Sequence, residues 1–516
     1  MPRQQTDHLY KLIKSLTKAE KRNFKLYVKR LGDNIKFLKL FNIIDKQTTY
    51  NEEDIIKKVP DIKPSQLPNI KANLTKNLLI SLRLIARHSD IDIMIRQQLD
   101  YAKILYNKAL YNQSLITLNK AKEAAKKYNR ELLHFEIVDF EKFIETQYIT
   151  HSIKTRADKL TEESFVLTNQ LARSSSLSNL SIKLYEFYLR NGYVRNEEDQ
   201  IKITDFFHEN LPAFSFKQLG FKEKLYLYKS HVWYYLIIQD FLMVYRYSLK
   251  WVELFKTYPN AILAQPDLFI KGLTNMLDGL YFTGDYERFK KILDELIDFK
   301  QTSEITLTKN VELILWHSYY THTINKHFMG GTFSEGLSII PEIISFLNKN
   351  HIYIDNYNII IFYYKIASMY FGSGDYKNSI KYLNIVINST DIELRSDIQC
   401  YARILNLITH FEIENYDLIE YLVKNTYRFL SKMKNLHLVQ KEILMFLRKL
   451  PSTPQDNLNN AFKKLLTKLK LLQNDPFEKR SFLYLDIISW LESKITNISV
   501  QDVIKSKREN GGFSIE

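Results

Sequence analysis

A chain of 516 residues with only 13 Gly and 11 Pro outgrows one simple core and lacks the turn residues that a β-sandwich or barrel uses at each hairpin. With 45% hydrophobic residues, 34 Tyr and 31 Phe, it is also not a disordered polar chain. The formal charge of +15 is concentrated at one end: residues 1–90 carry 19 Lys and Arg against 9 Asp and Glu, so an electrostatic partner is to be sought there.

In chain order, the first readable element starts at Thr17, which with Glu20 forms a Thr-x-x-Glu capping box ahead of a basic amphipathic run. Leu26, Val28, Leu31, Phe37, Leu40, Phe41, Ile43 and Ile44 supply apolar faces. Asn51 followed by Glu52, Glu53 and Asp54 opens another helix, because acidic residues suit its positive first turn. Pro60 and Pro64 bracket a loop, and a longer helix runs through Leu74, Leu78, Leu79, Leu82 and Ile85. These elements predict a small basic helical domain over residues 1–90.

From about residue 95 the pattern becomes one of paired helices. Tyr101-Ala102, Leu105, Tyr111, Ser114, Leu118 and Ala121 set a small residue on each helix and an aromatic at the turn. Small residues let two antiparallel helices approach, and the aromatic fills the space between them. The order returns as Ala367, Tyr370, Gly374-Asp375-Tyr376, Ser379 and Leu383, and again as Leu277, Leu280, Gly284-Asp285-Tyr286 and Leu293, where Phe289 replaces the small residue. Weaker copies follow Asp240-Phe241, Thr332-Phe333 and Asn415-Tyr416. In this grammar residues 95–430 resemble tetratricopeptide repeats, and the whole chain looks like a group of bacterial proteins that carry them. The resemblance implies an α-solenoid of helical hairpins that binds peptides or protein surfaces. The intervals between turn aromatics, roughly 40–47 residues against about 34 in the standard repeat, imply long, irregular hairpins.

Pro451-Ser452-Thr453-Pro454 interrupts the pattern, and a helix with Leu465, Leu466, Leu469 and Leu472 follows. Asp475-Pro476 reads as an N-cap and first-turn proline for a helix through Phe482, Leu483, Leu485, Ile487 and Trp490. Residues 431–504 are therefore expected to cap the end of the array, and residues 505–516, polar and containing Gly511-Gly512, to form a loose tail.

Chemistry is sparse in the sequence. There is no glycine-rich phosphate loop, and Gly330-Gly331 reads as a turn. His317, His322 and His327 are spaced by five, which rotates successive side chains by roughly 140° on a helix and separates them. Cys400 is the one cysteine, with no zinc-ligand spacing around it, and Glu197-Glu198 reads as a solvated helix face or a pair of capping charges. No catalytic residue, metal ligand, cofactor or membrane span is expected, and the N-terminal stretch has no apolar leader, which suits a soluble cytoplasmic protein.

Two functions compete. The first is a non-catalytic scaffold or adaptor that binds a peptide or protein on its helical-repeat surface. The second is a nucleic-acid-binding regulator that uses residues 1–90, where Lys18, Lys21, Arg22, Lys25 and Lys29 fall on a broad common helix face.

Overall fold

The structure, a computed structural model, describes residues 8–30, 36–59, 62–87, 89–147, 156–302, 307–389, 396–431, 438–450, 453–478, 481–484 and 486–510. Among the described residues it is all-α, with no strand. Contacts divide the chain into two units, Met1–Thr168 and Asn169–Glu516.

The first unit opens with α1 (His8–Ser15), α2 (Lys18–Lys29), α3 (Lys36–Lys46), α4 (Glu52–Lys58) and α5 (Leu67–Ala86). Ile13, Phe24, Leu40, Phe41, Ile44 and Leu74 form their core, with the Phe24 and Phe41 rings 4.9 Å apart. The capping box forms as read: Thr17 Oγ1 accepts from the Glu20 amide at 3.2 Å, and Glu20 accepts from the Thr17 amide at 2.7 Å. Asn51 caps α4 through the Asp54 amide. Pro64 begins a short 3-10 turn before α5, while Pro60 lies outside the described residues.

α6 (Ile91–Asn107), α7 (Tyr111–Lys127) and α8 (Glu131–Gln147) follow, and α9 (Arg156–Asn191) begins in this unit. α5 packs on α6, and Arg83 pairs with Asp100. The first unit runs to Thr168 and so holds these helices together with α1 to α5. α7, α8 and the start of α9 are tied by a charge network: Lys122 pairs with buried Glu141 and, at 3.1 Å, with Glu163, which also meets Lys126 at 2.9 Å and His134 at 2.7 Å.

The second unit continues with α10 (Glu197–Asn210), α11 (Phe221–Ile237), α12 (Phe241–Thr257), α13 (Pro259–Ala264), α14 (Pro266–Thr283), α15 (Tyr286–Thr302), α16 (Lys309–Gly330), α17 (Phe333–Gly336), α18 (Ile340–Asn350), α19 (Asn356–Gly372), α20 (Tyr376–Ile387), α21 (Ser396–Glu412) and α22 (Tyr416–Ser431). It closes with α23 (Leu438–Lys449), α24 (Gln455–Gln473), α25 (Ser481–Tyr484), α26 (Ile487–Thr496) and α27 (Val500–Glu509).

The hairpin turns repeat one geometry. Two residues before each turn aromatic (Tyr111, Phe241, Tyr286, Phe333, Tyr376, Tyr416) the backbone enters the left-handed region, at Ala109, Gln239, Gly284, Gly331, Gly374 and Glu414, with φ from 59° to 85°. The next amide then bonds the carbonyl five residues back, as in Asp375 to Tyr370 at 2.9 Å and Leu110 to Leu105 at 3.0 Å. This bond satisfies an orphan carbonyl at the end of the first helix and reverses the chain. Nine residues before and three after each aromatic, every residue is buried: Ala102 and Ser114, Val232 and Val244, Leu277 and Phe289, Ala367 and Ser379, Leu407 and Ile419, and Ile324 and Gly336. Small residues occur at both positions in two hairpins. There the serine hydroxyl donates to the alanine carbonyl, Ser114 to Ala102 at 2.8 Å and Ser379 to Ala367 at 3.0 Å.

Several features differ from the sequence reading. Between residues 131 and 220 the described helices do not show the aromatic turn; α9 alone runs 36 residues. The second helix after Phe333 is broken into α17, a 3-10 turn and α18, because Pro341 cannot donate a helical hydrogen bond. Asp475 is not an N-cap: its carboxylate accepts from the amide of Phe477, two residues on, in a turn, and the helix carrying Trp490 is capped by Asp486 through Ser489. Residues 505–509, expected in the tail, belong to α27, which buries Ile504; residues 511–516 lie outside the described residues.

The C-terminal segment reaches back into the second unit. Phe477 packs into the cluster of Phe207, Tyr234 and Ile237, and Gln501 bonds Ser334. Trp490 donates to Glu412 at 2.6 Å. Thus the last helices return to the middle of the second unit.

Candidate functional site

Basic α2 divides its charges between two tasks. Phe24 and Val28 anchor it in the core, and Lys21, on the flank of that buried face, reaches Asp45 at 2.6 Å. Lys18, Arg22, Lys25 and Lys29 are exposed. Their spacing of four, three and four places them within about 60° around the helix, one stripe of positive charge. Lys25 also lies 5.7 Å from the Phe41 ring centroid, so its stem leans on the core. Of the five residues singled out in sequence, four form the free stripe and Lys21 is consumed by an internal ion pair.

A second arrangement lies on α14, α16 and α19, the first helices of three successive hairpins. Lys365 on α19 donates to Asn325 Oδ1 on α16 at 2.6 Å. The Asn325 amide approaches His322 Nδ1 at 3.4 Å, and His322 Nε2 lies 3.9 Å from the Asp278 carboxylate on α14. One turn away, Thr274 and Ser318 bond across α14 and α16 at 2.7 Å. Asp278 and Asn325 stand eight residues before their turn aromatics, and His322 and Lys365 stand eleven before theirs, so the repeat itself aligns them on one face.

The electrostatics of this recess follow from enclosure. Burial raises Asp278 to about 7, with the Lys365 charge opposing the shift, and lowers Lys365 to about 8, with Asp278 opposing. His322 is 1% exposed and its edge meets the Phe289 ring; burial, then the charge of Lys365, lowers it to about 3. Tyr281, on the same face of α14, is pushed up by burial and by the charge of Asp486 at the start of α26. Asp278 keeps 39% of its side-chain surface, so the recess is open to solvent although protein surrounds it.

The three histidines do not converge: His317 packs edge-on against Phe362, His322 faces Asp278, and His327 Nδ1 bonds Thr332 Oγ1 at 2.7 Å. Among the described residues no group of three or more His, Cys, Asp or Glu is placed to hold a metal ion. Cys400 is fully buried, and Glu197 and Glu198 occupy the first turn of α10 behind the Asn196 cap. The sequence reading missed Asp278, Tyr281, Asn325 and Lys365, because single polar residues on apolar helices carry no motif. Counting back from each turn aromatic is the signal that finds them. No described helix is long and apolar enough to cross a membrane. No family model, curated protein or solved structure matches the chain.

Proposed function

We propose that the hairpins are tetratricopeptide-like units of an α-solenoid and that the chain is a non-catalytic scaffold, binding an extended protein segment along the first helices of its second unit. The supporting observation is the polar ladder from Asp278 through His322 and Asn325 to Lys365, which recurs at fixed positions on α14, α16 and α19. Enclosed polar groups on successive repeats offer a partner many contacts in register along its length.

The test is a photo-crosslinking amino acid placed at Asn275, which stands at the same repeat position as His322 and Lys365. In intact cells it should capture a discrete protein, whereas the same amino acid at Lys381, on the exposed side of α20, should not. Equal labelling from both positions counts against the reading. A second reading, nucleic-acid binding by the first unit, is favoured by the free stripe of Lys18, Arg22, Lys25 and Lys29.

A further inference from the structure

Four polar groups in the recess are left with bonding capacity. Among the described residues, no donor lies within hydrogen-bond distance of the Asp278 carboxylate; His322 Nε2, at 3.9 Å, is too far. The Tyr281 hydroxyl likewise has no hydrogen-bond partner among them, and Lys365 spends one of its three ammonium hydrogens on Asn325. Asp278 and Lys365 feel each other's charge without closing into an ion pair. The Lys365 ammonium instead hangs between the Tyr281 and Phe328 rings, 5.9 and 5.7 Å from their centroids. An acceptor and a donor of opposite charge thus flank one solvent-open space from two helices, with apolar rings beside the ammonium.

We infer that this space binds an uncharged amide group, its N–H donating to the Asp278 carboxylate and its carbonyl accepting from the Lys365 ammonium. A cation beside Asp278 sits in the repelling field of Lys365, and an anion beside Lys365 in that of Asp278. A neutral dipole avoids both penalties while satisfying both groups. Aromatic walls suit the flat faces of an amide, and the Tyr281 hydroxyl remains available to its flank. Such a site reads the main chain of an extended segment, or an Asn or Gln side chain, and tolerates varied sequence. The inference deepens the scaffold reading and rests on it: a protein that crosslinks at Asn275 while amides fail to bind sinks the inference alone.

The test uses the full chain and two small probes, N-methylacetamide for the main chain and acetamide for the side chain, followed by saturation-transfer NMR at pH 7.5, above the value of Asp278 and below that of Lys365. Acetate and methylammonium serve as charged comparisons. At least one amide should receive saturation from the wild-type protein, and its affinity should fall about tenfold in Asp278→Ala, as expected for loss of a charge-assisted hydrogen bond. Lys365→Met should do the same, and Lys381→Gln should change nothing. Should Lys365→Met fail to give the wild-type helical spectrum, Asp278→Ala carries the test, since that side chain is partly exposed. The relative strength of the two amides tells main-chain from side-chain recognition. Amide binding that is absent, or undiminished in Asp278→Ala, overturns the inference. So does acetate or methylammonium binding at these residues more strongly than either amide.

Discussion

The hydroxyls of Ser114 and Ser379 each donate to the carbonyl of an alanine twelve residues earlier, joining the two helices of a hairpin. Ser379→Ala is expected to cost about 1 kcal/mol, the net value of one buried hydrogen bond. Ala367→Leu, which forces a longer side chain into the same space, should cost about 1–3 kcal/mol. Urea midpoints measure both, and unchanged midpoints contradict this packing. His322 gives a prediction in pH. Its folded pKa of about 3 lies below the ordinary 6.5, so the fold keeps it neutral, and its contribution is intact above 6.5 and lost as pH falls toward 3. The wild type should lose about 1.4 kcal/mol per pH unit in that window from this residue, and His322→Gln should lack that slope. Parallel pH profiles for the two proteins contradict the assignment.

At the scale of elements, the aromatic turns and their small residues were legible because a hairpin's closest approach demands particular side chains. Left-handed backbone at Ala109, Gln239 and Glu414 was not, since only three of the six turns use glycine to reach it. Two glycines separate strain from space. At Gly374 (φ 85°) a Cβ meets nothing within 4 Å, so Gly374→Ala should cost only the left-handed penalty, about 1–2 kcal/mol. At Gly331 (φ 62°) the Cβ lands 2.6 Å from the Gln501 carbonyl oxygen and 2.7 Å from the Lys505 amide. Gly331→Ala must therefore displace α27 and lower the thermal midpoint further than Gly374→Ala; equal losses argue that α27 does not pack there. For α2, the charge pattern was legible but the Lys21–Asp45 pair was not, because Asp45 comes from another helix. If the stripe binds nucleic acid, changing Lys18, Arg22, Lys25 and Lys29 to Gln should flatten the salt dependence of binding by about 0.9 in log–log slope for each duplex phosphate that is no longer neutralised. Fluorescence anisotropy at graded salt reads this. Changing Lys21 alone should leave the slope as it is.

At the scale of the whole molecule, the helical class was legible in the scarcity of Gly and Pro, whereas the ways in which distant segments meet were not. The break at Asp475 and the return of α26 and α27 depend on tertiary partners: Trp490 seeks Glu412, and Gln501 seeks Ser334. The candidate recess was hidden for the same reason, since Asp278, Asn325 and Lys365 are far apart in sequence and meet only when three hairpins pack side by side. Charge reversal within the recess tests whether it is a partner-binding face. The protein captured by crosslinking at Asn275 should be titrated by calorimetry against the wild type, Lys365→Glu and Lys381→Glu. Lys365→Glu should weaken binding about tenfold or more, because a charged hydrogen-bond donor becomes a repelling acceptor, and Lys381→Glu should bind as the wild type does. Full affinity in Lys365→Glu, with the loss appearing instead in Lys381→Glu, would contradict a partner-binding role for the recess.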